Sequence, residues 1–206
     1  MPAQTEPKNL RDVLFYEDQH RMSRRVVTFM SGTAFEVGQV LGKDYKAKTN
    51  FTQDSGTGLS TGDVSLGQEA KKGDYVIHGT GTDTGYIMDP DGYRVDDFSS
   101  LTYAGKHISI DSGTVASDDK YTVTVGDSSG KYVPFDPSAT NGAHEPAGIP
   151  IEAYDATDGD VEGVAVVRDA VLLRDGLVWP DTITTAQKEA ALEAFQAVNI
   201  QVKDAA

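Results

Sequence analysis

Between Gly130 and Pro180 the chain reads GKYVPFDPSATNGAHEPAGIPIEAYDATDGDVEGVAVVRDAVLLRDGLVWP, a series of short apolar runs, each closed by an acidic or Gly/Asn turn. Such punctuation restricts a chain to short strands joined by tight connections. The stretch predicts strands at Lys131–Pro134, Ile149–Tyr154, Gly163–Val167 and Ala170–Leu173. Arg168-Asp169 interrupts the run VAVVRDAVLL and predicts a kink or tight turn, and Asp158-Gly159 is a second hairpin signal. Nowhere in this stretch do residues group in a way that performs covalent chemistry. Dense strand signal without an active-site signal points toward a building block or a binder.

The rest of the chain organises around this stretch. Residues 1–17 are expected to form a flexible arm, polar over residues 1–12 with two prolines, running into the apolar segment DVLFYED (Asp12–Asp18). Arg25–Phe29 and Phe35–Leu41 read as strands joined by a turn at Ser31-Gly32-Thr33. From about Asn50 the texture becomes rich in Gly, Ser and Thr. Strands are expected there at Asp74–His78, Gly85–Met88, Lys106–Ile110 and Lys120–Val125, with a strong turn at Asp91-Gly92. The resulting organisation is an arm (1–17), a core made of 18–50 and 128–206, and an inserted antiparallel β-subdomain over 51–127. A helix is predicted over Thr185–Val198, opened by a Thr184/Gln187 capping box and ended at Asn199.

Charge and composition exclude several classes. Among 206 residues there is no cysteine, so disulfides, thiolate catalysis and Cys-ligated metals are ruled out. The segment MPAQTEPKNLRD has no apolar h-region, so no secretory signal is expected, and no apolar run is long enough for a membrane span. The net charge is −14, concentrated after residue 48, which disfavours binding to phosphate backbones. No membrane or direct nucleic-acid partner is therefore expected.

The residues that could carry chemistry are dispersed. His20, His78, His107 and His144 share no helical or hairpin spacing, and there is no nucleophile elbow, zinc helix or phosphate loop. Two acidic loops are the candidates for a calcium ion, one with Asp89 and Asp91, the other with Asp158 and Asp160. Neither has full EF-hand spacing, and Asp with Gly also serves plain hairpin geometry. A hydrolase with paired carboxylates needs an aromatic-lined cleft, and Trp179 with scattered Tyr and Phe provides little for one.

Taken in order, these segments resemble the head decoration proteins of tailed bacteriophages, the phage lambda head protein D family. The resemblance lies in DVLFYEDQHRMSRRVVTFMSGTAFEVGQVLGK at one end. At the other it lies in GKYVPFDPSATNGAHEPAGIPIEAYDA, VEGVAVVRDAVLLRDGLVWP and TTAQKEAALEAFQAVNIQV. It covers about residues 10–48 and 129–202, and 49–128 departs from the compact form as a β-rich insertion. The resemblance implies an α+β, mainly β fold: a small mixed β-barrel-like (β-tulip-like) core with one C-terminal helix. It also implies a homotrimer on the outer surface of the virion capsid, made in the host cytoplasm, with the major capsid protein as partner.

On this basis the expected function is a capsid decoration, or cement, protein rather than an enzyme, without catalytic residues, cofactor or metal. The expected capsid-docking residues are Leu10, Val13, Leu14, Phe15 and Tyr16, ordering on contact by adding a strand to a partner edge. Trp179, Leu192 and Phe195 are expected as trimer or core anchors. The alternative is a surface adhesin whose inserted subdomain binds a host glycan or envelope component.

Overall fold

The computed structural model describes residues 8–204. The chain forms two compact units. One is built from the segment up to Asp44, Lys131–Pro137 and the chain from Ala143 on; the other from Tyr45–Gly130 and Ser138–Gly142. The fold is mainly β, with a nearly closed barrel-like sheet and one C-terminal helix. Among the described residues no helix is long and apolar enough to cross a membrane.

In the first unit, five strands lie in the order Ile149–Pro150, Val161–Val166, Arg24–Phe29, Tyr132–Pro134 and Leu41–Lys43. The two ends of this sheet meet. Leu41 N donates to Gly148 O at 2.9 Å and Ala147 N donates to Leu41 O at 2.7 Å, which curls the sheet into a barrel. Alternation sets its interior, where Phe29, Phe35, Leu41 and Ala165 are buried. Phe29 packs on Phe35 and Tyr154 with ring centroids 4.7 and 4.6 Å apart.

A second layer of the same unit joins a three-stranded sheet to the helix. Its order is Leu14–Glu17, Ala170–Leu173, Ile200–Lys203. The helix Thr185–Phe195 opens as the sequence predicts: Thr184 Oγ1 accepts from Gln187 N, and Gln187 Oε1 accepts from Thr184 N. It closes in a 3-10 turn over Gln196–Val198, with Asn199 left-handed at φ 57°. Ala191 and Phe195 enter the core with Val13, Leu172 and Ile200.

Residues 8–17 of the expected flexible arm are part of this layer; residues 1–7 lie outside the described residues. Leu10–Asp12 makes a capped 3-10 turn and Leu14–Glu17 pairs with Ala170–Leu173. Val13 is fully buried because the chain beside it enters a slot at Gly176, where a Cβ would stand 2.1 Å from Asp12 O and 2.7 Å from Val13 Cα. Gly176→Ala is therefore expected to destabilise the unit by about 1–3 kcal/mol, the usual cost of overpacking. It should also speed tryptic cleavage after Arg11. Unchanged cleavage and an unchanged urea midpoint would count against the slot.

The second unit is an antiparallel sheet in the order Lys46–Ser55, Lys120–Asp127, Gly73–Gly81, Thr84–Met88, Arg94–Phe98. A two-stranded ladder of Val64–Leu66 and Ile108–Ile110 accompanies it. Tyr121, Val123 and Val125 point inward while Thr122 and Thr124 face outward, a period of two. Lys46 is buried, its Nζ donating to the carbonyls of Gln68 (2.6 Å) and Ala70 (2.9 Å).

Two strand expectations need correction. Phe35–Leu41 is not one strand: Thr33–Phe35 and Leu41–Lys43 flank a turn closed by Gln39 N donating to Glu36 O. Ile149–Tyr154 divides into Ile149–Pro150 and Tyr154–Ala156, which belong to different sheets. The boundary expected near residue 50 falls inside the strand Lys46–Ser55, whose whole length belongs to the second unit.

Candidate docking surface

The strand Leu14–Glu17 is an outer strand of its three-stranded sheet, with Ala170–Leu173 on one side only. A register shift between Leu14 and Tyr16 marks a bulge. Leu14 faces Leu172 on the side packed into the core, whereas Tyr16 faces Val171 on the opposite side. Phe15 and Tyr16 are 60% and 56% exposed. The Lys203 ammonium lies over the Phe15 ring, and Lys203 is in register with Leu173. The solvent side of this sheet thus presents Phe15, Tyr16, Val171 and Leu173, with Lys203 beside them. Large exposed aromatics on one face mark a surface made for contact.

The end of the strand is fixed to the barrel. Arg24 Nε donates to Glu17 Oε2 at 2.9 Å, and a second guanidinium nitrogen reaches Glu17 Oε1, a fork against a largely buried carboxylate. That hydrogen bond holds the Arg24 pKa above its ordinary value, against the opposing effect of burial. At the next turn, Ser23 Oγ (3.0 Å) and Asp18 N (3.1 Å) both donate to Asp169 O, with Asp169 left-handed at φ 50°. The Arg168-Asp169 turn predicted from sequence thus holds both ends of the connection from residue 18 to residue 23 that follows the strand.

The five expected docking residues separate by environment. Phe15 and Tyr16 face solvent, Leu10 and Leu14 are half-buried, and Val13 belongs to the core, so Val13 supports the strand from within. Val171, Leu173 and Lys203 share the exposed face without having been singled out. Their signal, a four-residue apolar run, does not show which alternate residues face out. Of the expected anchors, Phe195 is fully buried, while Leu192 and Trp179 are half-buried against the same core. Trp179 meets Phe135 edge-on at 5.8 Å.

The acidic loops hold lysines and backbone donors. Asp89 Oδ1 accepts from Asp91 N and Tyr93 N at 3.0 and 2.9 Å, while Lys71 Nζ bridges Asp89 and Asp91 at 3.1 and 2.8 Å. The bond from Tyr93 N leads the causes holding the Asp89 carboxyl below its usual range. Asp160 accepts from Ser31 N at 2.9 Å and pairs with Lys131; Asp158 is exposed. Among the described residues no group of three or more His, Asp or Glu is placed to hold a metal ion. His107 pairs with Asp96 at 3.0 Å, His78 stacks on Tyr86, and His144 is near Glu145. The His20 side chain lies outside the described residues.

A family model described as the bacteriophage lambda head decoration protein D matches residues 3–86 and 99–200. The match extends through most of 49–128, the stretch that the sequence resemblance left outside. No curated protein and no solved structure matches the chain. A match over most of the chain, spanning both units, places this chain in the phage lambda head decoration protein D family, whose members are structural proteins of the phage capsid.

Proposed function

We propose that the protein is a cement: a homotrimer on the outside of the phage head at local three-fold positions, holding the shell against the pressure of packaged DNA. Each protomer docks on the major capsid protein through the Leu14–Glu17 strand and the face bearing Phe15 and Tyr16. The observation that carries this reading is the outer strand whose two exposed aromatics lie beside Val171 and Leu173. An extended capsid segment added along that strand would gain backbone hydrogen bonds and cover the aromatics in one step.

Modest affinity per protomer is enough, because three linked copies raise the effective concentration of the second and third contacts. The full-length protein is expected to run as a trimer in size-exclusion chromatography with light scattering. It should also co-sediment with expanded empty heads and raise their resistance to thermal rupture. A monomer that leaves rupture unchanged would overturn the proposal. Deleting residues 1–17 is a poor test, since it also removes the buried Val13.

A further inference from the structure

On the outward face of the second unit, residues on neighbouring strands form a row: Lys120 is in register with His78, and His78 with Tyr86. The His78 and Tyr86 rings stack with centroids 4.9 Å apart, and the Arg94 guanidinium lies 4.5 Å from the Tyr86 centroid. Neither the His78 ring nitrogens nor the Tyr86 hydroxyl hydrogen-bonds to a described residue, and Lys120 makes no ion pair with one. Beside this row is a pocket of about 490 Å³, completed by Ser55, Gly79, Thr80, Ser117, Asp118 and Asp119.

The wall of the pocket is built in advance. Gly79 N donates to Asp119 O at 2.8 Å, and Asp118 N donates to Gly79 O at 3.1 Å. Ser55 Oγ donates to Asp118 O at 2.9 Å. Glycine is required at 79, because a Cβ there would stand 2.0 Å from Ala116 O. Asp118 itself is left-handed at φ 68°, a conformation that Asp adopts more readily than most non-glycine residues. Its carboxylate receives a long 3.4 Å bond from Ser117 Oγ. A prebuilt concavity with convergent polar groups is a candidate ligand site.

The lining selects the ligand. Burial, then Lys120, holds the His78 pKa below its ordinary value, so the ring is neutral at pH 7 and offers one donor and one acceptor. Hydroxyls and a phenol likewise both donate and accept. Such groups complement a molecule that does the same around its whole edge. The lining holds one lysine, Lys120, with two carboxylates, Asp118 and Asp119, and a chain of net charge −14 disfavours anionic ligands. We propose that this pocket binds a neutral hexose, with Asp118 and His78 bridging ring hydroxyls and Tyr86 at the rim. The inference goes beyond capsid docking and is independent of it.

The test is saturation-transfer NMR on the full-length protein. The probes are the methyl glycosides of glucose, galactose, mannose and N-acetylglucosamine, a glucose polymer (dextran), and N-acetylneuraminic acid as the acidic comparator. Saturation is expected to reach at least one neutral glycoside. A response to dextran that exceeds the methyl glucoside would indicate a polysaccharide source; the reverse would indicate a free sugar. Asp118→Gly suits the left-handed backbone and should keep or raise the thermal midpoint while weakening binding at least tenfold; His78→Ala should weaken it similarly. No transfer to any neutral sugar, undiminished binding in both variants, or preference for N-acetylneuraminic acid would each overturn the proposal. Sugar binding without head binding, or the converse, separates this site from the docking surface.

Discussion

Replacing Phe15 and Tyr16 together with serine is expected to lower affinity for expanded empty heads by about a thousandfold, since on the proposed docking face each aromatic anchor would contribute about 2 kcal/mol or more. Both side chains are more than half exposed in the protomer, so the cost to its folding stays within about 0.5 kcal/mol. Co-sedimentation titrations against heads, read beside a urea unfolding curve, separate the two quantities. An affinity that stays within a few-fold of wild type, with the fold intact, would move the docking surface elsewhere. A large loss of protomer stability would instead mean that the aromatics support the three-stranded sheet.

Phe195→Ala should do the opposite, removing about 3–5 kcal/mol of protomer stability through lost contacts and the cavity left behind. The ring is fully buried beside Val13, Leu172 and Ile200, where the helix is joined to the three-stranded sheet. A fall in the thermal midpoint on the order of 10 °C follows for a unit of this size. Dilution distinguishes core from interface. If Phe195 acts within the protomer, the shift is the same at every protein concentration. A shift that grows on dilution would assign the residue to the contact between copies.

The sequence was most legible where one local motif decides the outcome. Thr184 with Gln187 opens the helix, Asn199 ends it, and Arg168-Asp169 turns the chain, all as their side-chain chemistry dictates. It was least legible where distant partners decide. KAKTNFTQDS shows no apolar alternation, yet it forms the ten-residue strand Lys46–Ser55 because Lys120–Asp127 supplies its ladder. Burial of Lys46 there depends on the carbonyls of Gln68 and Ala70, which no strand pattern announces. At the site, the apolar arm was visible, but not that Val13 and Phe15 sit on opposite sides of the surface. That separation arises from the bulge and the Gly176 slot, both non-local.

The interrupted layout of the first unit also bears on how the protein is made. Asp44 N donates to Lys131 O at 3.0 Å, so the chain departs and returns at one point. During translation nearly all of Tyr45–Gly130 emerges before Val161–Val166, the strand that flanks Arg24–Phe29, has been synthesised. Early collapse of this excursion would bring its two stems together and spare the barrel a closure penalty of roughly 4 kcal/mol. Damage in the excursion would then surface as slow maturation on the ribosome, with nascent chains staying protease-sensitive, even where the finished barrel is unaltered.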